Sequence, residues 1–185
     1  MSRIGSFPDD DLTSWFASSP ELGGAIANFS HAVYHRSRLP LRVREIARMA
    51  IALDNECAVC ENTRFEGGPQ AGVDEEFYAH VSDWRTWPGY SDDERIAAEF
   101  GERFASDHTG LREDEEFWAR CKEHFSDEIL ADLALSCALW IGMGRVLRTL
   151  DIGQACKITV CAEPARSQRR SRPARRPRVL GARCR

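Results

Sequence analysis

At 185 residues, with 43% apolar and 29% charged residues, the chain has the makeup of one soluble globular domain, too short for two full ones. Residues 162–185 hold nine arginines against one acid, so the net charge of −4 leaves −12 on residues 1–161. An acidic body of that kind lacks the basic face that nucleic acid requires.

In chain order, "MSRIGSFPDDDLTSWF" reaches three aspartates before any apolar run and reads as no secretory signal. Pro8 and the aspartates behind it open a short segment ending near Ser18, and Pro20 opens the next. "ELGGAIANFSHAVYH" (21–35) sets Leu22, Ile26, Phe29, Val33 and Tyr34 near one face at helical spacing, until "SRLP" breaks it at Pro40. A third helix runs from about Leu41 to Leu53, with Val43, Ile46, Ala47, Ala50 and Ile51 inward. Arg42, Arg44 and Arg48 read as outward. "DNE" (54–56) interrupts it, and Asp54 or Asn55 is placed to cap a new helix carrying Cys57 and Cys60, which Gly67, Gly68 and Pro69 end.

"VDEEFYAHVSDW" (73–84) is a short amphipathic helix, and "SDDE" (91–94) is a capping box opening a helix to about Ser106. "REDEEFWARCKEHF" (112–125) is another. Ser126 with Asp127 and Glu128 starts a long apolar helix to about Leu150. Its stretch "ILADLALSCALWIGMG" (129–144) is too short to span a bilayer and carries Asp132. Apolar residues on more than one of its faces point to subunit contacts or to a central core position. No alternating strand pattern and no fixed-period repeat is visible. The expected fold is all-α: an N-terminal segment (1–17), one helical domain (18–158), and a tail (159–185). The tail's arginines and prolines, without a hydrophobic period, read as disordered.

Seven cysteines in a chain without a secretion signal fit a reducing cytosol, where a close pair is catalytic or metal-binding rather than part of a disulfide framework. "ECAVCENTR" (56–64) holds the pair. Three readings are open: a redox couple, since positions three apart on a helix face one way and a first-turn thiolate is favoured; half a metal site, with His31 and His35 as further ligands; or two small packed residues. Arg64, one turn beyond Cys60, adds a fixed positive charge. Glu45 reads as an ion-pair partner for Arg42, Arg44 or Arg48.

Glu45, twelve residues before Cys57, followed by C-x-x-C, resembles the carboxymuconolactone decarboxylase and alkylhydroperoxidase D-like family. "LPLRVREIARMAIALDNECAVC" and the later "GVDEEFYAHV" and "YSDDERIAAEFGERFASDH" share its rhythm, over about residues 18–158. The resemblance implies an all-helical fold assembled as a trimer or hexamer. In the cytoplasm, such a protein would reduce a small hydroperoxide through its thiol pair, without metal or other cofactor, and be regenerated by a partner dithiol protein. It implies Cys60 as the attacking thiol, Cys57 as the resolving one, and Glu45 as a proton-relay carboxylate, a role that a carboxyl can fill if its pKa is raised toward neutrality. The family pattern ends C-x-x-C-x-x-x-H, and in this chain that histidine is replaced by Arg64, which carries charge but shuttles no proton near neutrality. Two other functions are compatible with the same family: a decarboxylase or lyase on a small cyclic acid, and a non-catalytic oligomeric redox sensor. No membrane partner is expected.

Overall fold

The computed structural model describes residues 2–7, 11–154 and 157–161. Among these the chain forms eight α-helices and two very short strands. The all-α expectation holds. The reading of a disordered tail over 162–185 lies outside the described residues.

A 3-10 turn at Ser14–Ser18 leads into α1 (Pro20–Arg36), opened by proline at its first position, and α2 (Leu41–Asp54) follows the break at Pro40. Phe16 of that turn packs where a side chain on Gly23 would stand: an added Cβ would lie 2.6 Å from the Phe16 Cβ. One helical turn, α3 (Ala58–Glu61), carries the second cysteine, and β1 (Arg64–Phe65) follows. Asp74 caps α4 (Glu75–Ala79) by accepting a hydrogen bond from the Phe77 amide. Then come α5 (Asp92–Ser106), α6 (His108–Glu113), α7 (Glu115–His124) and α8 (Asp127–Leu150). Sequence periodicity does not show α6, because Thr109 and Gly110 weaken its helical pattern. Asp107 starts it by accepting from the Gly110 amide, and Leu111 anchors it in the core.

The core is the seam where α2 packs on α5 and α8. Ile46, Ala47 and Ile51 meet Ile96, Ala97, Phe100, Phe117, Leu133 and Cys137, all at most 3% exposed. The α2–α5 approach is close: a Cβ on Gly101 would lie 2.7 Å from the Ala47 carbonyl oxygen. Gly101→Ala is therefore expected to destabilise the fold by about 1–3 kcal/mol in urea unfolding, despite alanine's better helix propensity. A stabilised variant would show that the two helices separate freely.

The capping box forms as read. Ser91 accepts from the Glu94 amide and Glu94 accepts from the Ser91 amide. Glu94 is also gripped by the Arg42 Nε at 2.6 Å, which ties the start of α5 to α2. Ser91→Ala should cost about 1 kcal/mol, read as a lower urea midpoint with unchanged slope.

α8 spans 24 residues, which by length and composition alone is enough to cross a membrane, and about a third of its apolar window is buried. The 16-residue apolar stretch understates it. Leu133, Cys137 and Trp140 face the core, whereas Leu135 stays 57% exposed. Beyond α8, β2 (Thr159–Val160) pairs in parallel with β1, Arg64 opposite Thr159 and Phe65 opposite Val160. Two residues per strand leave no alternation to read in sequence. The pairing carries the chain past the boundary drawn at 158, back over the cysteines.

Candidate active site

The turn between α2 and α3 differs from the sequence reading, and the difference decides the chemistry. Asn55 does not cap the cysteine helix. It ends α2, and its side-chain amide donates to the Trp140 and Ile141 carbonyls of α8 while its oxygen accepts from Arg145 Nε. Glu56 takes a left-handed conformation (φ 48°) to reverse the chain. Cys57 then occupies the N-cap position of α3, and its side chain makes no capping bond. A four-residue helix has little dipole, so the first-turn argument for a Cys57 thiolate fails.

Cys57 and Cys60 are joined in a disulfide, their Cα atoms 5.2 Å apart, a separation in the ordinary range for that bond. In this structure the two sulfurs are therefore each other's partners. Their surroundings differ. Cys57 is fully buried against Val59, Leu12, Leu147 and Ile158, whereas Cys60 is half-buried and lines a cavity of about 250 Å³. Of the pair, Cys60 is the sulfur that a substrate in the cavity meets.

The cavity wall is mostly apolar, from Phe16, Ile26, Val59, Leu139, Met143 and Leu147, with Tyr34, Arg48, Trp140 and Cys161 among its polar members. Burial pushes the Tyr34 phenol above its ordinary pKa, against the pull of Arg48, so it stays a neutral donor. The Trp140 indole N–H, buried at the wall, makes no well-formed hydrogen bond, though it lies near enough to Tyr34 to favour that group's ionised form slightly.

Arg44 and Arg48 overturn the reading that they point outward: they are 5% and 2% exposed. They flank Glu45, itself 1% exposed. Arg48 Nε and Nη2 lie 2.9 Å from Glu45 Oε2, Arg44 Nε 3.2 Å from Oε1, and the Tyr78 hydroxyl donates to Oε2 at 3.0 Å. Arg42, the third arginine offered to Glu45, pairs with Glu94 instead. Arg48 also donates to the Cys60 carbonyl at 2.5 Å and the Thr63 carbonyl at 3.1 Å, so one guanidinium joins the carboxylate to the cysteine turn. Its charge lies against the cavity wall beside Cys60.

Burial alone would raise the Glu45 pKa, but Arg48, Arg44 and the hydrogen bonds they and Tyr78 make hold it below the usual carboxylate range. The condition for a proton relay, a carboxyl raised toward neutrality, is therefore not met at Glu45. Glu45 is ionised at rest.

Arg64 departs from its expected place. Its Nε and Nη2 bond Glu75 at 2.8 and 2.9 Å, Nη1 donates to the Glu61 and Thr63 carbonyls, and its guanidinium stacks 4.1 Å over the Tyr78 ring. It braces the loop after the cysteines and its charge is neutralised by Glu75. Among the described residues no group of three or more His, Cys, Asp or Glu side chains is placed to hold a metal ion. Of the other described cysteines, Cys121 is pushed by burial up to about 11 and Cys137 is raised too, so neither is a thiolate near neutrality.

Tyr34, Arg48 and Trp140 are site residues that sequence reasoning missed. Tyr34 was visible only as part of an apolar face. The Glu45 and Arg48 spacing of three was the one available sign of a built ion pair.

Residues 20–102 match the family model of the Carboxymuconolactone decarboxylase family, a segment that holds Glu45, both cysteines and Arg64. That segment of the chain is thus similar to the family. In fold it is similar to a crystal structure from Agrobacterium tumefaciens, of a protein of unknown function described as a candidate antioxidant defence protein AhpD. The TM-score is 0.66 at 19% identity, covering 82% of this chain and 96% of that one. At that identity the likeness fixes the fold. No curated protein is significantly similar.

Proposed function

We propose that the chain is a thiol-dependent peroxidase that reduces a small organic hydroperoxide through Cys60 and Cys57. The observation that carries this reading is the asymmetry of the pair. One sulfur faces an apolar cavity with a buried cation beside it, and the other is sealed behind it within disulfide reach.

In the reduced protein the Cys60 thiolate attacks the terminal peroxide oxygen. The O–O bond breaks, an alkoxide leaves, and Cys60 becomes a sulfenic acid. The thiol proton is lost to solvent when the thiolate forms, and Glu45, ionised at rest between its two arginines, holds Arg48 beside the cysteine turn rather than carrying the proton. The Tyr34 hydroxyl, held neutral by burial, is the donor on the cavity wall. Arg48 steadies the thiolate and holds the turn through the Cys60 carbonyl. Cys57 then attacks the Cys60 sulfur, water leaves, and the Cys57–Cys60 disulfide forms. An external dithiol restores both thiols while becoming a disulfide itself.

The reduced protein, titrated with tert-butyl hydroperoxide, should lose two hydrogens per chain, mapped by mass to Cys57 and Cys60. Cys60→Ser should remove peroxide consumption, and Cys57→Ser should keep the first attack but not that product. Thiols that stay inert to hydroperoxide would overturn the reading.

A cytoplasmic homo-oligomer, with the exposed side of α8 as one contact, belongs to the same proposal. Leu135→Glu should then lower the assembly size in light scattering, and a wild-type monomer at micromolar concentration would end that part.

A further inference from the structure

We infer that Cys161 is a third redox thiol, carrying the disulfide from the buried pair to the protein surface. The inference rests on the reading of Cys57 and Cys60 as the redox centre, and it concerns how that centre is reduced. The oxidised pair presents a difficulty to a protein reductant. Cys57 is fully buried, and Cys60 lies half-buried at the wall of a cavity floored by aliphatic side chains. A dithiol on another protein must bring its sulfur into line with the S–S bond, which requires more room than a small hydroperoxide needs.

Cys161 is the exposed free cysteine among the described residues, and it lines the same cavity as Cys60. Its place is set by backbone bonds. The Arg64 amide donates to the Ile158 carbonyl at 2.8 Å and the Glu66 amide to the Val160 carbonyl at 2.9 Å. Ile158 packs against Cys57 and Val59. The strand is thus anchored at one end on the cysteine pair and carries Cys161, exposed, on the wall of the same cavity at the other.

The exchange balances without an added oxidant. The Cys161 thiolate attacks Cys60 Sγ, the Cys57–Cys60 bond breaks, Cys57 leaves as a thiolate and takes a proton, and a Cys60–Cys161 disulfide forms. The external dithiol then attacks the exposed Cys161 sulfur and releases Cys60. Its second thiol displaces Cys161, so the external pair ends oxidised and all three protein thiols end reduced.

Two measurements on the full chain test this. Cys57→Ser, oxidised with diamide so that no peroxide chemistry is involved, should form a Cys60–Cys161 disulfide. Trypsin cleavage after Lys157 separates Cys161 from the thiols before it, so mass mapping assigns the bond. In the second, the Cys57–Cys60 pair is oxidised with diamide in Cys161→Ser and in the wild type. Reduction by thioredoxin should slow at least about tenfold in the variant, while reduction by dithiothreitol changes less than about twofold. Absence of the cross-link, or reduction of Cys161→Ser by thioredoxin at the wild-type rate, overturns the relay. A wild-type pair that diamide oxidises but hydroperoxide does not would instead overturn the peroxidase reading and leave the relay standing.

Discussion

Replacing Glu45 by alanine is expected to cost the fold about 3–5 kcal/mol, a large part of the margin of a domain this size. The carboxylate is the counter-charge of two arginines that are themselves almost without solvent contact. Removing it leaves both guanidinium groups buried with no anion, and Arg44 Nη2 already lacks a hydrogen-bond partner. Burial works against the ionised carboxyl, yet Arg48 and Arg44 outweigh it, so the folded pKa lies below the unfolded one. The stability from this group is therefore complete above the unfolded carboxylate value of about 4.3 and is lost as pH falls through the lower folded value. Glu45→Gln keeps a polar group of the same shape but should flatten that part of the acid limb. Urea unfolding at neutral and mildly acidic pH measures both effects. An alanine variant within about 1 kcal/mol of wild type would mean that water reaches the arginines.

The helical frame was legible where a local signal stands alone. Ser91 with Glu94, Ser126 before Asp127, and Pro20 at a helix start each act through bonds made within one turn. The family resemblance likewise rested on spacing along one stretch, and the match over residues 20–102 bears it out. The site was less legible because its decisive contacts join distant parts of the chain. Arg44 and Arg48 look like a solvated face by residue type, and nothing local reveals that Tyr34, Phe65 and Tyr78 close over them. Asn55 looks like a cap until α8 presents its carbonyls. The β1–β2 pairing links residues about a hundred positions apart through two residues each, below any periodic signal. Charge, cap and strand were each misread or missed for one reason: the partner lies far away in sequence.

The same displacement of partners moves the charge that serves Cys60 from Arg64 to Arg48. The family pattern puts a residue four places after the second cysteine, and in this chain that residue is committed to Glu75 and to the Tyr78 ring. Glu75 is 78% exposed, so this pair is a surface one, screened and weak toward anything beyond it. Arg48 instead faces the cavity, holds the Cys60 carbonyl and is 2% exposed. Its guanidinium stays protonated at any accessible pH, because Glu45 beside it outweighs the cost of burial. Arg48→Met should move the pH profile of single-turnover peroxide oxidation upward by about one to three units, the usual effect of a close opposite charge on a thiol. At neutral pH that lowers the rate by about tenfold or more, since the thiolate is the reacting form. Arg48→Lys keeps a charge but not the forked bonding, and should recover part of the shift. Arg64→Ala should leave the profile within a few tenths of a unit, because screening removes what little its paired charge contributes. Stopped-flow oxidation of the reduced proteins across pH separates the variants, and a loss of packing alone would lower amplitudes without moving the profile. If Arg64→Ala shifts the profile as far as Arg48→Met does, the charge at the family position is the one that acts, and Arg48 is not the group that stabilises the Cys60 thiolate.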